Sequence, residues 1–321
     1  MMPEKESPKS LLHPSILARI TSLGLRAQRV MEGTISGLHR SPLHGVSVEF
    51  ADYREYSPGD DLKRLDWKAY ARSDKFYIKR FEEDTNLRGT ILLDASSSMK
   101  YGRGVMTKFD YASTLAASIA ALCVKQRDAV GLAVFDDAER IFLRPVATQA
   151  QLHKIIELIE NTTPQRTTDL GAVMHKVSEQ IKSRGLVVVI SDLLLDLDVF
   201  YKSLGRLQHQ GHEILVFQIL DPEEIDLPFK DSVLFKDIEG TEELFAEPWA
   251  FRKAYKAAME QFIGDVAQRC RSGGVDHVLL KTDDDLGLAL SHYLHGRRRQ
   301  AVNKHAGRIV AFDESGVQKS E

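Results

Sequence analysis

Cysteine is almost absent, with only Cys123 and Cys270 in 321 residues. They lie far apart, each inside a helical pattern, so they read as two reduced, buried thiols of a cytosolic protein and not as a disulfide framework. Long apolar runs are missing too: stretches such as Leu186 to Ile190 stop far short of the roughly 20 residues that a membrane-spanning helix needs. The N-terminus, Met1 to Leu12, mixes charges with Pro3 and Pro8 and lacks the apolar core of a signal peptide, so the expected location is the cytoplasm. Neither sign of charge dominates. Lys and Arg total 43 against 46 Asp and Glu, and a net charge of −3 gives no global field toward nucleic acid or an anionic membrane. No Gly-x-Ser-x-Gly elbow occurs, which disfavours a serine hydrolase, and none of the 11 histidines stands in a recognisable catalytic motif.

What is present centres on Leu92-Leu93-Asp94-Ala95-Ser96-Ser97-Ser98-Met99. An apolar run with the character of a buried strand leads into it, and a helical pattern over Lys108 to Lys125 follows. Were residues 94 to 98 still extended, Asp94, Ser96 and Ser98 would share one side of the chain, because side-chain direction alternates with period two. A site of oxygen ligands alone suits a hard divalent cation, Mg²⁺, Mn²⁺ or Ca²⁺, better than zinc.

Along the chain, residues 1–14 read as a loose tail. An amphipathic helix runs from Ile16 to Met31, with a bend expected at Gly24 and loop between Gly33 and Gly45. A short strand is expected over Val46 to Ala51, and a helix built on Leu62, Leu65 and Ala69 follows the Pro58-Gly59 turn. Phe76 to Phe81 is a further strand. The nearly balanced charges between Arg54 and Arg72 read as an ion-pair web tying this extension to the main sheet, or as a docking surface. From residue 88 to residue 220 strand and helix patterns alternate, with Val130 to Phe135 and Arg140 to Arg144 as a hairpin or short crossover. That alternation predicts an α/β fold with a doubly wound, mostly parallel sheet. Asp221 to Pro228 reads as loop, a hairpin spans Val233 to Ala246, and a long helix, a last strand and a last helix close the pattern. The expected organisation is a tail (1–14), an N-terminal extension packed on the main domain (15–86), an α/β domain with a C-terminal hairpin and helix elaboration (87–296), and a basic polar tail (297–321). The cluster Arg297-Arg298-Arg299 in that tail reads as an idle charge run.

Doubly wound sheets bind ligands beyond the carboxyl ends of their strands. The Asp94 to Ser98 loop, Thr168 opening a helix, and Asp192 closing the Leu186 strand all fall there. Together they resemble the metal-ion-dependent adhesion site of a von Willebrand factor A domain. Asp94, Ser96 and Ser98 match its Asp-x-Ser-x-Ser motif; Thr168, three residues before Gly171, matches its threonine in preference to Thr167, and Asp192 its second aspartate. The resemblance implies that the hydroxyls hold the metal, while the aspartates act largely through water or by orienting those hydroxyls.

The wider chain, roughly residues 16 to 297, resembles a bacterial family known as domain of unknown function 58. The strings that carry this are Gly37-Leu38-His39-Arg40-Ser41-Pro42, Pro58-Gly59-Asp60-Asp61, Asp66-Trp67-Lys68 and Ile190-Ser191-Asp192, together with the Asp94 motif. The resemblance implies an adaptor or co-chaperone of a MoxR-type AAA+ ATPase. Many relatives carry transmembrane helices, which do not carry over. The expected function is therefore a non-catalytic, metal-dependent protein-interaction module whose partner offers an acidic residue to the metal, with no nucleic acid and no membrane span. The alternatives are a metal-dependent phosphohydrolase using Asp94, although Ser96 stands where such enzymes want a second aspartate, and a scaffold whose metal site is vestigial.

Overall fold

In the computed structural model, residues 23–39, 53–55, 77–79, 87–136, 139–165, 170–181, 183–236 and 243–294 are described. They fall into two compact units, one joining the described residues up to Leu38 with those from Leu87 onwards, the other within His39–Asn86. In the smaller unit, strands β1 (Tyr53–Glu55) and β2 (Tyr77–Lys79) pair antiparallel, with Arg54 opposite Ile78. The strand expected over Val46 to Ala51, the helix on Leu62, Leu65 and Ala69, and both tails lie outside the described residues.

The larger unit is built on six strands: β3 (Arg88–Asp94), β4 (Ala129–Phe135), β5 (Glu139–Val146), β6 (Leu186–Ser191), β7 (Glu213–Leu220) and β10 (Asp276–Lys281). Their spatial order is β10-β7-β6-β3-β4-β5, all parallel except β5, which returns antiparallel beside β4. The order reverses between β3 and β6, as in doubly wound folds, and it is beside such a switch point that these sheets open a crevice. A second small hairpin joins β8 (Val233–Lys236) and β9 (Glu243–Ala246).

Strand periodicity assigns each side chain to one of two cores. Ile91, Leu93, Val188 and Ile190 point to one face, and Leu92, Val187 and Val189 to the other. Helices α1 (Leu23–His39), α2 (Lys108–Lys125) and α3 (Gln149–Glu160) cover the first face, with the helix over 286–294. Helices α4 (Leu170–Gln180), α5 (Leu197–His209) and α7 (Pro248–Ser272) cover the second. The small α6 (Pro222–Asp226) sits just after β7. Alanines 112, 116, 117 and 120 leave α2 room to lie close on the sheet, and all four are fully buried.

Helix α1 runs past Gly33 and Gly37 to His39, where loop was expected. A helical glycine costs about 1 kcal/mol relative to alanine. Here tertiary packing outweighs that, since Leu23, Ala27, Val30 and Thr34 form one buried stripe and the Thr34 hydroxyl donates to Val30 O at 2.9 Å and Gly287 O at 3.3 Å. The Asp221 to Pro228 segment likewise contains a helix where loop was expected. Asp221 caps it reciprocally with Glu224, and Pro222 occupies its first turn.

At the sheet's other edge, Gln151 Nε2 donates to Val130 O (2.9 Å) and Arg144 O (2.8 Å), closing the irregularity where β4 and β5 slip in register. Replacing Gln151 with leucine should leave both carbonyls without that donor and lower stability by about 1–3 kcal/mol in chemical denaturation. An unchanged midpoint would mean that water replaces the amide.

Both thiols are reduced, but only Cys270 is fully buried; Cys123 is half-buried. Burial pushes Cys123 up to about 12 and Cys270 to about 11, so neither is a reactive thiolate at neutral pH.

Candidate metal centre

Strand β3 ends at Asp94, which is fully buried at the switch point. Ala95 N donates to Phe135 O on β4 at 2.7 Å, and Gln165 N donates to Ala95 O at 2.9 Å, so the loop is held from two sides. Ser96 is still extended, but Ser97–Lys100 form a turn of 3₁₀ helix. The extended run assumed for residues 94 to 98 is therefore corrected: Ser98 belongs to the turn. The two hydroxyls meet nonetheless, Ser96 Oγ lying 3.1 Å from Ser98 Oγ. Helical winding and not strand alternation brings them together.

Asp94 has both carboxylate oxygens engaged. Oδ1 accepts from Ser96 N at 2.9 Å, and Oδ2 from Ser191 Oγ at 2.6 Å, the latter reaching across from β6. Burial pushes its carboxyl up to about 7, the charge of Asp192 adds to this, and the bonds from Ser191 and Ser96 pull the other way.

Asp192 follows the last residue of β6. Its Oδ1 accepts from Leu194 N at 3.1 Å and its Oδ2 from Lys108 Nζ at 2.8 Å. Between them Leu193 takes a left-handed conformation with φ 60, its N–H donating to Ser191 Oγ at 3.0 Å and its side chain fully buried. Thr168 lies outside the described residues, so four of the five expected site residues are placed: Asp94, Ser96, Ser98 and Asp192.

Sequence reading missed three contributors. Lys108 looked like an ordinary charge opening a helix, yet its side chain is fully buried and also reaches Glu224 Oε1 at 2.6 Å. Burial works against the ammonium, but the charges and hydrogen bonds of Asp192 and Glu224 more than offset it and raise its pKa. At Glu224 the balance falls the other way, burial outweighing Lys108 and pushing the carboxyl up. The signal for Glu224 was legible, since Asp221-Pro222-Glu223-Glu224 is a helix-start pattern that fixes the glutamate's place. Ser191 had no such signal.

Among the described residues, no group of three or more His, Cys, Asp or Glu is arranged to hold a metal. A cation here would depend on hydroxyl oxygens. The donor chemistry fits a hard divalent ion: two adjacent hydroxyls, backed by buried carboxylates whose mutual repulsion a cation would relieve.

The model of the family described as "protein of unknown function DUF58" matches residues 52–262, well over half of the chain. The chain belongs to this family. An uncharacterised protein of Mycobacterium tuberculosis is 27% identical over 297 residues, covering 91% of this chain and 93% of that protein. The uncharacterised protein YeaD of Bacillus subtilis is 31% identical over 115 residues, 36% of this chain and 27% of that protein. Among solved structures, BatB from Bacteroides thetaiotaomicron (16% identical, 66% of this chain and 99% of that one) superposes with a TM-score of 0.46. The SpRpn10 VWA domain (12% identical, 64% and 94%) superposes with 0.40. The strand order of this DUF58 protein by itself defines a doubly wound α/β sheet. No helix among the described residues is long and apolar enough to cross a membrane.

Proposed function

We propose that this DUF58 protein is a non-catalytic, metal-dependent protein-interaction module. The observation that carries the reading is the Ser96–Ser98 hydroxyl pair at the switch point, backed by an Asp94 whose two oxygens are already committed to Ser96 N and Ser191 Oγ. A carboxylate held in this way orients its neighbours and is poorly placed as a nucleophile, which favours binding over phosphohydrolase chemistry. Ser96, Ser98 and Thr168 would hold Mg²⁺, Mn²⁺ or Ca²⁺, with Asp94 and Asp192 behind them. Neutral hydroxyls leave much of the ion's charge uncompensated, so the bound metal would supply a Lewis-acidic position that attracts a carboxylate of a partner. The partner that family resemblance implies is a MoxR-type AAA+ ATPase in the cytoplasm, with this protein as adaptor or co-chaperone.

The test has two arms. Mg²⁺ or Mn²⁺ should raise the melting temperature of the parent, by linkage of binding to the native state, and Ser96→Ala should abolish the rise. A variant that responds like the parent would sink the site assignment. In calorimetry, a MoxR-type ATPase should bind in Mg²⁺ and lose roughly tenfold in affinity, about 1.4 kcal/mol, in chelator or with Thr168→Ala. Undiminished binding in chelator would remove the metal from the interaction while leaving the fold untouched.

A further inference from the structure

The metal reading leaves the buried ammonium of Lys108 unexplained. It lies at the first residue of α2, with a fully buried side chain, and bridges Asp192 Oδ2 on one side and Glu224 Oε1 on the other. Three other buried or partly buried acidic and aromatic groups surround this end of the site. Asp94 is held by Ser96 and Ser191, Tyr101 presents its ring 5.9 Å from Nζ, and Tyr255 donates its hydroxyl to Glu224 O at 2.6 Å. An aliphatic residue would fill the same volume without the desolvation penalty of a buried charge. The ion's position beside Asp192 offers the reason for its presence.

We propose that Lys108 is a built-in cation that restrains Asp192, keeping it from coordinating the metal directly and leaving the hydroxyls as the protein's principal ligands. The inference rests on the metal reading above. Asp192 has two oxygens, and each accepts one hydrogen bond that fixes the carboxylate's orientation, Oδ1 from the N–H of Leu194 and Oδ2 from Lys108. A metal bound directly at Oδ2 would share that oxygen with an ammonium at 2.8 Å, and the two positive charges would repel each other where water screens them little. Glu224 anchors the ammonium from the far side, and Glu224 is itself fixed, its Oε2 accepting from Asp221 N at 3.0 Å in the capping box. Lys108 also cancels one unit of negative charge in the surroundings of the ion. A divalent cation seated here therefore keeps an excess of positive charge, the condition under which an external carboxylate gains most from joining it. Lys108 is on this view a positioning residue that sets what the site accepts as its last ligand.

The test titrates Mn²⁺ into the parent, Lys108→Met, Asp192→Asn and the double variant, following free Mn²⁺ by electron paramagnetic resonance and heat by calorimetry. Lys108→Met should bind Mn²⁺ roughly tenfold or more tightly than the parent, because a nearby positive charge is gone and Asp192 is released. It should also lose the parent's gain in Mn²⁺ affinity on adding an acidic peptide. In the Asp192→Asn background the same substitution should have a much smaller effect, since the residue through which it acts no longer carries charge. Equal or weaker Mn²⁺ binding by folded Lys108→Met overturns the proposal. Fully additive effects of the two substitutions overturn it as well, since Lys108 would then act as a distant charge. If Lys108→Met does not fold, Glu224→Gln carries the test: it leaves the ammonium to Asp192 alone, and Mn²⁺ should bind roughly threefold or more weakly. Unchanged affinity in that variant overturns the restraint. Should the parent itself bind no Mn²⁺, the metal reading fails and this inference with it, an outcome distinct from metal binding that ignores Lys108.

Discussion

At neutral pH the Lys108→Met protein is expected to be about 3–5 kcal/mol less stable than the parent, the usual effect of removing one partner from a buried ion pair. Methionine replaces most of the lysine's methylene volume, so the loss isolates charge from packing. What remains is a fully buried Asp192 and a mostly buried Glu224, both facing a thioether. The dependence on pH follows from Lys108's raised pKa. A base whose folded value exceeds its ordinary 10.5 contributes stability that is complete below that value and is lost as pH climbs through the higher one. On the alkaline side the gap between parent and variant should therefore persist from neutral pH upward and close in strong alkali. Urea denaturation of both proteins across that range measures it, and a gap under about 1 kcal/mol at neutral pH would show that the two carboxylates reach water or take up protons cheaply.

In chelator, the parent should gain about 2 kcal/mol as pH is lowered from about 7.5 to about 5.5, through Asp94. Its carboxyl is pushed up to about 7 from 3.8, so across this interval the folded protein holds a proton that the unfolded chain has released. Stability from such a group is complete below the unfolded value and declines as pH rises through the folded one. His212 and His277 oppose the trend: burial lowers both from 6.5, and the unfolded chain binds their protons more readily as pH falls. The comparison with Asp94→Asn removes that background, since only the Asp94 contribution differs. Saturating Mg²⁺ should flatten the difference, because a cation favours the ionised carboxylate. Identical pH profiles for parent and Asp94→Asn would mean that Asp94 titrates as it does in water.

Most of the fold was legible because its signals are local. The fully apolar run at β6 and the alanine-rich helical spacing of α2 each specify an element without reference to distant residues. The positions of Asp94, Ser96, Ser98 and Asp192 were legible for a related reason, since the strand ends of a doubly wound sheet converge by topology alone. Where reading failed, a tertiary effect overrode a local one. The glycines of α1 signalled loop, but the buried stripe from Leu23 to Thr34 holds them in helix. Period-two logic reached Asp94 and Ser96 and failed at Ser98, because the chain winds into a 3₁₀ turn. Lys108 was the largest omission. Nothing in the sequence distinguishes a lysine that opens a helix into solvent from one whose ammonium is sealed between Asp192 and Glu224, residues 84 and 116 positions away.

The left-handed backbone at Leu193 bears on what binding beside it costs. A non-glycine residue in that conformation costs of order 1–3 kcal/mol and persists only where its surroundings impose it. Here the surroundings do, because the Leu193 side chain is fully buried in the same cluster as Phe200 and Val189. The core thus holds the Ser191–Leu194 corner in shape before any ligand arrives, with Ser191 Oγ and both oxygens of Asp192 already assigned. Whatever binds beside this corner meets it already shaped, so the corner itself should add little to the conformational-entropy cost of binding.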